Sequence, residues 1–334
     1  MAERIAILGA GAVGGYLGGL WRHAGVDAVL IGRPRVAAAV AAQGMRLTGQ
    51  AGGAILLAPE RIAVATDARA LADATLVVVA VKSAATAEAA AAIAAHAPAA
   101  APVLTLQNGI ANRDILAAHL PGRAVLRGSV TFNVAHDGAR WHKATAGVLA
   151  VERHPATQAL AARLAGRPGC PVLRDDMLAF AWGKLLLNLN NAVNALSGKP
   201  LRAELSARGY RRVLAASIAE ALAVLEAAGI RPAKVGPLPP GLLAPFVRLP
   251  DALFNTVGLR LQKVDPAARS SMADDFAAGR ASEIDRLNGE IVALAERHGR
   301  DAPVNRRIVA LVRAAEAGGR RAWSAAELER AVLG

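Results

Sequence analysis

The sequence predicts an α/β chain in two parts: a doubly wound parallel-sheet domain over residues 1–174, then an all-α domain over residues 175–334. Three observations predict it. Short apolar runs alternate with helix-like stretches through the first half, the pattern of βαβ units whose sheet is covered on both faces. A glycine-rich turn, Gly9-Ala10-Gly11-Ala12-Val13-Gly14, stands between the first apolar run and the first helical stretch. Beyond Pro171 the spacing turns almost entirely helical, from Asp175 to Leu333. A length of 334 residues agrees with two domains at roughly 150 residues each.

The elements follow in order. Ile5–Leu8, Ala28–Ile31, Leu76–Val81, Val103–Leu106 and Val125–Ser129 read as buried strands. Val13–Ala24, Thr86–His96 and Asn112–His119 read as the helices between them. Met45–Thr66 contains Gly-rich turns and two short apolar runs, and is expected to be a hairpin excursion. Thr131–Glu152 reads as antiparallel strands, turning at His136-Asp137-Gly138 and near Gly147. The domain boundary is expected near Arg174. The helical part is punctuated at Gly198-Lys199-Pro200, Gly229-Ile230-Arg231-Pro232 and Pro237–Gly241.

Composition excludes several functions. The single cysteine, Cys170, excludes an internal disulfide and a cysteine-rich metal site, and it reads as a core residue. The seven histidines form no HxxxH or HxH pair, so no metal is expected. The longest apolar stretch, Ala84 to Leu106, is broken by Glu88, His96, Pro98 and Pro102, and no membrane span is expected. The strand pattern starts too near Met1 for a secretory leader, which points to a cytoplasmic protein. A net charge of +13 raises nucleic acid as a partner. The basic residues are scattered, however, with no aromatic-interleaved run, and no nucleic-acid partner is expected. Only six of the 39 basic residues are lysine: Lys82, Lys143, Lys184, Lys199, Lys234 and Lys263.

The glycine turn follows a strand and opens a helix, the context in which a GxGxxG string carries information. Gly9, Gly11 and Gly14 permit a tight turn and close backbone approach to a pyrophosphate. The helix start at Ala12 and Val13 adds free N–H groups and partial positive charge. The first domain is therefore expected to be a Rossmann-type dinucleotide-binding domain. The second strand ends at Ile31 and is followed by Gly32-Arg33. An NAD site would place Asp or Glu there. Arg33 instead offers a fork of donors for a 2′-phosphate, so NADPH/NADP+ is the expected cofactor.

Further along stand Val81-Lys82 after a strand and Gln107-Asn108-Gly109 after the next. Then come Trp182-Gly183-Lys184-Leu185-Leu186-Leu187-Asn188, Ser270-Ser271-Met272, and Ser282-Glu283-Ile284-Asp285 with Asn288-Gly289. In order and spacing this set, together with the glycine turn and Arg33, resembles the ketopantoate reductases (2-dehydropantoate 2-reductases) over nearly the whole chain. The resemblance implies a Rossmann domain followed by a helical domain, with the active site in the cleft between them. It implies NADPH-dependent reduction of a 2-oxo acid, 2-dehydropantoate to (R)-pantoate, a precursor of pantothenate and coenzyme A. It places the catalytic lysine on Lys184, the carboxylate on Glu283, the substrate serine on Ser271 and the loop asparagine on Asn108, and it adds Lys82 to the cofactor site.

The side chains suit that chemistry. Hydride transfer to a ketone leaves negative charge on the carbonyl oxygen, which a nearby ammonium can stabilise and protonate. Arginine cannot readily give up a proton; a lysine whose pKa is lowered by burial can. In an arginine-rich chain, a lysine at position 184 fits a requirement for a transferable proton. Glu283 would orient Lys184 or bind substrate, Ser271 could hold the substrate carboxylate, and Asn108 could bond both cofactor and substrate.

One position departs from the family pattern, which carries asparagines four and eight residues after the lysine. Asn188 is present, but the eighth residue is Ala192. At about 100° per residue, Asn188 lies about +40° from Lys184 around one continuous helix and Asn191 about −20°. Asn188 and Asn191 are therefore the expected pair on the lysine face. The departure leaves open another 2-oxo acid or an opine-type imine as substrate, and beside these a non-catalytic NADP(H)-binding sensor. A homodimer is also left open, because the apolar face of Val213–Ala228 exceeds what a small domain obviously needs to cover.

Overall fold

The computed structural model describes residues 4–50, 52–258 and 268–334. Of the segments read from the sequence, residues 1–3, 51 and 259–267, with Lys263, lie outside them. The chain divides into two compact units, Met1–Met177 and Leu178–Gly334.

The first unit opens with β1 (Arg4–Leu8), α1 (Ala12–His23), β2 (Asp27–Ile31), α2 (Pro34–Gln43), β3 (Met45–Gly49), β4 (Ala54–Leu57) and β5 (Ala63–Ala65). It continues with β6 (Leu76–Val79), α3 (Thr86–His96), β7 (Val103–Thr105), α4 (Asn112–His119) and β8 (Val125–Val130). It closes with β9 (Val134–Asp137), β10 (Arg140–Lys143), β11 (Leu149–Glu152), α5 (Pro155–Arg163) and β12 (Val172–Arg174). The main sheet has the order β12-β11-β8-β7-β6-β1-β2-β5. From β5 to β8 every neighbouring pair is parallel, and β11 joins antiparallel to β8. Both faces are buried, as the apolar runs require. Ile5 and Ile7 enter one cluster with Leu104 and Leu126, while Ala6, Val77 and Val79 enter another with Val103. The chain runs outward from β1 through β2 to β5, then returns to β6 on the other side of β1. Open α/β sheets bind ligands at such a reversal, beyond the carboxyl ends of the strands.

The Met45–Thr66 excursion is a hairpin only as far as Leu57; its last run, β5, joins the main sheet instead. The β3–β4 and β9–β10 hairpins then merge into a second sheet of order β4-β3-β10-β9, because β3 pairs in parallel with β10. That pairing joins segments far apart in the chain, which local patterning does not encode.

The second unit contains α6 (Met177–Asn188), α7 (Asn190–Ser197), α8 (Leu201–Ser206), α9 (Arg208–Ala227), α10 (Pro240–Val247) and α11 (Asp251–Leu253). After the segment outside the described residues come α12 (Ser271–Ala277), α13 (Asn288–Arg297), α14 (Pro303–Glu316) and α15 (Ala325–Leu333). The central helix is α9. Its Val213, Leu214, Ile218, Val224 and Leu225 are buried against α10, α14 and α15 of the same chain, so this apolar face needs no partner. Arg211 is fully buried on α9. It donates to the carbonyls of Val247 and Leu249 at 2.9 and 2.6 Å and pairs with Asp251, so it holds the turn after α10. Among the described residues, no helix is long and apolar enough to cross a membrane, and no group of His, Cys, Asp and Glu could hold a metal ion.

Candidate active site

The three fingerprint glycines stand in three different surroundings. Gly9 has φ +115°, and a Cβ there would lie 2.7 Å from the carbonyl carbon of Ala80. A Cβ on Gly14 would lie 2.1 Å from the carbonyl oxygen of Gly9, so only glycine lets α1 start this close to the turn. A Cβ on Gly11 would meet nothing within 4 Å, and the turn is open on that side. The N–H groups of Gly9 and Ala10 both donate to the carbonyl of Ile31, at 2.9 and 3.1 Å, which fastens the turn to the end of β2. No side chain caps α1 and its first turn holds no acid, so Ala12 and Val13 open an uncapped helix.

Arg33 follows β2 as the N-cap of α2. It is exposed and makes no ion pair among the described residues. Asp27, at the opposite end of β2, is paired with Arg22 at 2.9 Å. Lys82 is exposed after β6, and Asn108 is partly buried after β7.

The loops bearing Lys82 and Asn108 are tied together by buried polar side chains whose roles the sequence did not reveal. The Gln107 amide donates to the Val81 carbonyl at 3.2 Å and to Thr86 Oγ1 at 2.8 Å. The Thr86 hydroxyl reaches the Ser83 carbonyl and Asn112 Oδ1, at 2.8 and 3.0 Å. Asn112 Nδ2 donates to Ser83 Oγ at 3.1 Å and to the Asn108 carbonyl at 2.6 Å. Spacing gives a hint of this only in retrospect, since a polar Thr and a polar Asn each stand at the start of a helix.

In the second unit, Lys184 is partly buried on α6. Burial pushes its pKa down to about 8, and the charge of Glu283 acts in the opposite direction. The structure thus brings Lys184 and Glu283 together. Gly183 allows this stretch of α6 its neighbour: a Cβ there would lie 2.0 Å from the carbonyl oxygen of Ala233. Glu283 sits in a short turn where the Ser282 hydroxyl accepts the N–H of Ile284 at 3.2 Å. Asn288, the first residue of α13, is buried and donates to Asn305 at 3.0 Å.

The asparagines after Lys184 separate into two kinds. The helix is interrupted at Leu189, although that residue keeps right-handed helical angles. Asn190 donates to the buried carboxyl of Glu204 at 3.1 Å. Asn194 accepts the N–H of Ser270 at 3.0 Å and donates to the Lys199 carbonyl at 3.0 Å. Asn188 and Asn191 are half-buried, and their side chains are in neither set. Ala192 is completely buried, a core position. Ser270, not Ser271, caps α12, accepting the N–H of Ala273 at 3.2 Å and donating to the Asn191 carbonyl at 3.2 Å. The exposed Ser271 is left outside the cap.

Two family models match the chain. "Ketopantoate reductase PanE/ApbA" covers residues 5–155, and "Ketopantoate reductase PanE/ApbA C terminal" covers residues 176–316. A 2-dehydropantoate 2-reductase of Halobacterium salinarum is 31% identical over 330 residues, which span 95% of this chain and 100% of that one. Its counterpart from Caulobacter vibrioides is 30% identical over 93% of this chain and 98% of its own. A solved PanE/ApbA family ketopantoate reductase from Ralstonia eutropha superposes with a TM-score of 0.80 at 32% identity, covering 95% of this chain and 99% of that one. D-mandelate dehydrogenase, solved with NADH and anilino(oxo)acetate, shares the fold at 19% identity and a TM-score of 0.77, covering 95% of this chain and 99% of its own. With both of its units matched, the chain belongs to the ketopantoate reductase family.

Proposed function

We propose that this oxidoreductase reduces 2-dehydropantoate to (R)-pantoate with NADPH. The observation that carries the reading is Lys184, a partly buried lysine poised by burial and Glu283 at a pKa of about 8, where an ammonium both stabilises an oxyanion and releases a proton. The names of the relatives supply the substrate.

The residues of the glycine turn fit a dinucleotide. Gly11 is open where a pyrophosphate would approach, and the uncapped start of α1 at Ala12 and Val13 offers N–H groups to it. Gly9 and Gly14 shape the turn. Arg33 would hold the 2′-phosphate, with Lys82 and Asn108 completing the cofactor contacts. When bound, the nicotinamide supplies hydride to the carbonyl carbon of the substrate. Lys184 holds a proton at Nζ, donates it to the carbonyl oxygen as negative charge develops there, and recovers one from solvent. Glu283 keeps that ammonium charged and oriented. Asn188, Asn191, Asn108 and Ser271 are assigned to the polar groups of the substrate.

The test is the loss of NADPH absorbance with 2-dehydropantoate, beside a panel of other 2-oxo acids and an opine-type imine. Turnover of other acids but not of 2-dehydropantoate overturns the substrate. Tight NADPH binding without turnover of any of them overturns the reaction and leaves a sensor. Within the reading, Asn191→Ala raises KM for the acid with KM for NADPH unchanged, and an unchanged acid KM removes Asn191 from the site. A homodimer is the further proposal. It rests on a solved relative described as dimeric, from Staphylococcus aureus at 18% identity, and light scattering that returns the mass of one chain overturns it.

A further inference from the structure

Trp141 lies on β10 in the second sheet and is fully buried. Its indole Nε1–H donates to the carbonyl oxygen of Gly11 at 3.0 Å. The same oxygen accepts the N–H of Gly15 at 2.9 Å. This carbonyl shares one planar trans peptide with the N–H of Ala12, so the two point in opposite directions. Fixing the oxygen from behind therefore fixes where the Ala12 N–H points. Donation to the oxygen also polarises the peptide and strengthens that N–H as a donor.

The fold holds Trp141 in this position from three sides. His136 stacks on the indole at 4.3 Å with 18° between the rings. β10 is fixed by β3 on one edge and β9 on the other. Gly15 leaves the space the indole needs, since a Cβ there would lie 2.4 Å from Nε1. Gly15 stands outside the GxGxxG string, and α1 itself gives no reason for a glycine at that position, where alanine is the better helix former. The second sheet, otherwise an excursion from the doubly wound fold, thus reaches the glycine turn through the Gly11–Ala12 peptide group.

We propose that Trp141 is a positioning residue for the cofactor: through the Gly11 carbonyl it aims the Ala12 N–H at the dinucleotide pyrophosphate. The proposal rests on the cofactor reading given above. It assigns Trp141 to the pyrophosphate alone, not to the adenosine half.

Calorimetric titration of the full chain separates these readings. The ligands are NADPH and adenosine 2′-phosphate, or NADH and adenosine should the chain prefer NADH. Trp141→Phe, and 3-benzothienylalanine at position 141, which keeps the shape and lacks the N–H, should each weaken dinucleotide binding about tenfold. Adenosine-half binding should be unchanged, and KM for the dinucleotide should rise with kcat unchanged. Gly15→Ala should do the same by displacing the indole, since its Cβ would lie 2.4 Å from Nε1. Equal weakening of both ligands, or full affinity with benzothienylalanine, overturns the proposal while leaving the cofactor reading intact. A wild-type chain that binds neither dinucleotide overturns both.

Discussion

Glu283 carries its charge close enough to Lys184 to draw the lysine's pKa upward, against a burial that pushes it down to about 8. The two effects set the pH range over which the ammonium survives. The proton-donating form exists below the pKa, so kcat/KM for reduction should be level at neutral pH and fall as pH rises through about 8. Replacing Glu283 by Gln removes the raising charge. The alkaline limb should then move to lower pH, and kcat at neutral pH should drop about tenfold or more. A pH–rate profile measured on both proteins checks this, and an unmoved limb would remove Glu283 from its role.

The same burial makes Lys184 costly to the fold. Its folded pKa lies near 8 against an ordinary 10.5, so the unfolded chain binds the extra proton between those values. Stability therefore rises with pH across that window, and the penalty is present in full below it. Lys184→Met should relieve a penalty on the order of 2–3 kcal/mol at pH 7 and raise Tm by several degrees. The gain should vanish above about pH 10.5, where the lysine is neutral in both states. Turnover should fall by roughly 10²–10⁴-fold in the same variant. Calorimetry at pH 7 and near pH 10.5, beside steady-state rates, reads both effects. A loss of stability at neutral pH would contradict the assignment.

How much of this was legible in the sequence depends on the range over which each feature is encoded. The glycine turn is a local string between a strand and a helix, and the structure sets Gly9 at positive φ and Gly14 tight against the Gly9 carbonyl at that place. Helical projection separates Asn188 and Asn191 from Asn190 and Asn194, and among the described residues the side chains of Asn190 and Asn194 have buried partners. The projection assumes one continuous helix, whereas the chain breaks it at Leu189, a residue that keeps right-handed helical angles. Trp141 was not legible. Its approach to Gly11 depends on β3 pairing in parallel with β10, and nothing within either hairpin specifies that. The network around Gln107 failed to show for a related reason: Thr86 and Asn112 meet only once two βα units stand side by side.

Gly11 and Gly14 should respond oppositely to the same substitution. At Gly11 the backbone has φ −79°, which alanine accepts, and the added Cβ meets no protein atom within 4 Å. Gly11→Ala should therefore leave Tm within a degree or two and weaken dinucleotide binding about tenfold or more, because the methyl fills the approach. At Gly14 the Cβ would lie 2.1 Å from the backbone oxygen of Gly9, which cannot move without opening the turn. Gly14→Ala should cost about 3 kcal/mol or more. Thermal melts with and without cofactor distinguish the two. A stable Gly14→Ala protein would show that the turn is looser than these distances imply.

Arg33 tests the cofactor at the other end of β2. It stands exposed at the N-cap of α2, two residues beyond the strand end that is fastened to the glycine turn through the Ile31 carbonyl. The strand's own carboxylate, Asp27, is at the wrong end and already paired with Arg22. A ribose 2′-phosphate at that position would meet a guanidinium fork, whereas a 2′-hydroxyl would find no carboxylate in the Gly32–Arg35 stretch that follows β2. Arg33→Ala should lower kcat/KM for NADPH by roughly 30- to 100-fold through KM, the loss of one charge-assisted contact, with kcat unchanged. The value for NADH should scarcely change, so the preference between the two coenzymes collapses by the same factor. Equal losses with both coenzymes would place Arg33 away from the 2′-position, and no loss with either would make it one more solvated arginine of a basic chain.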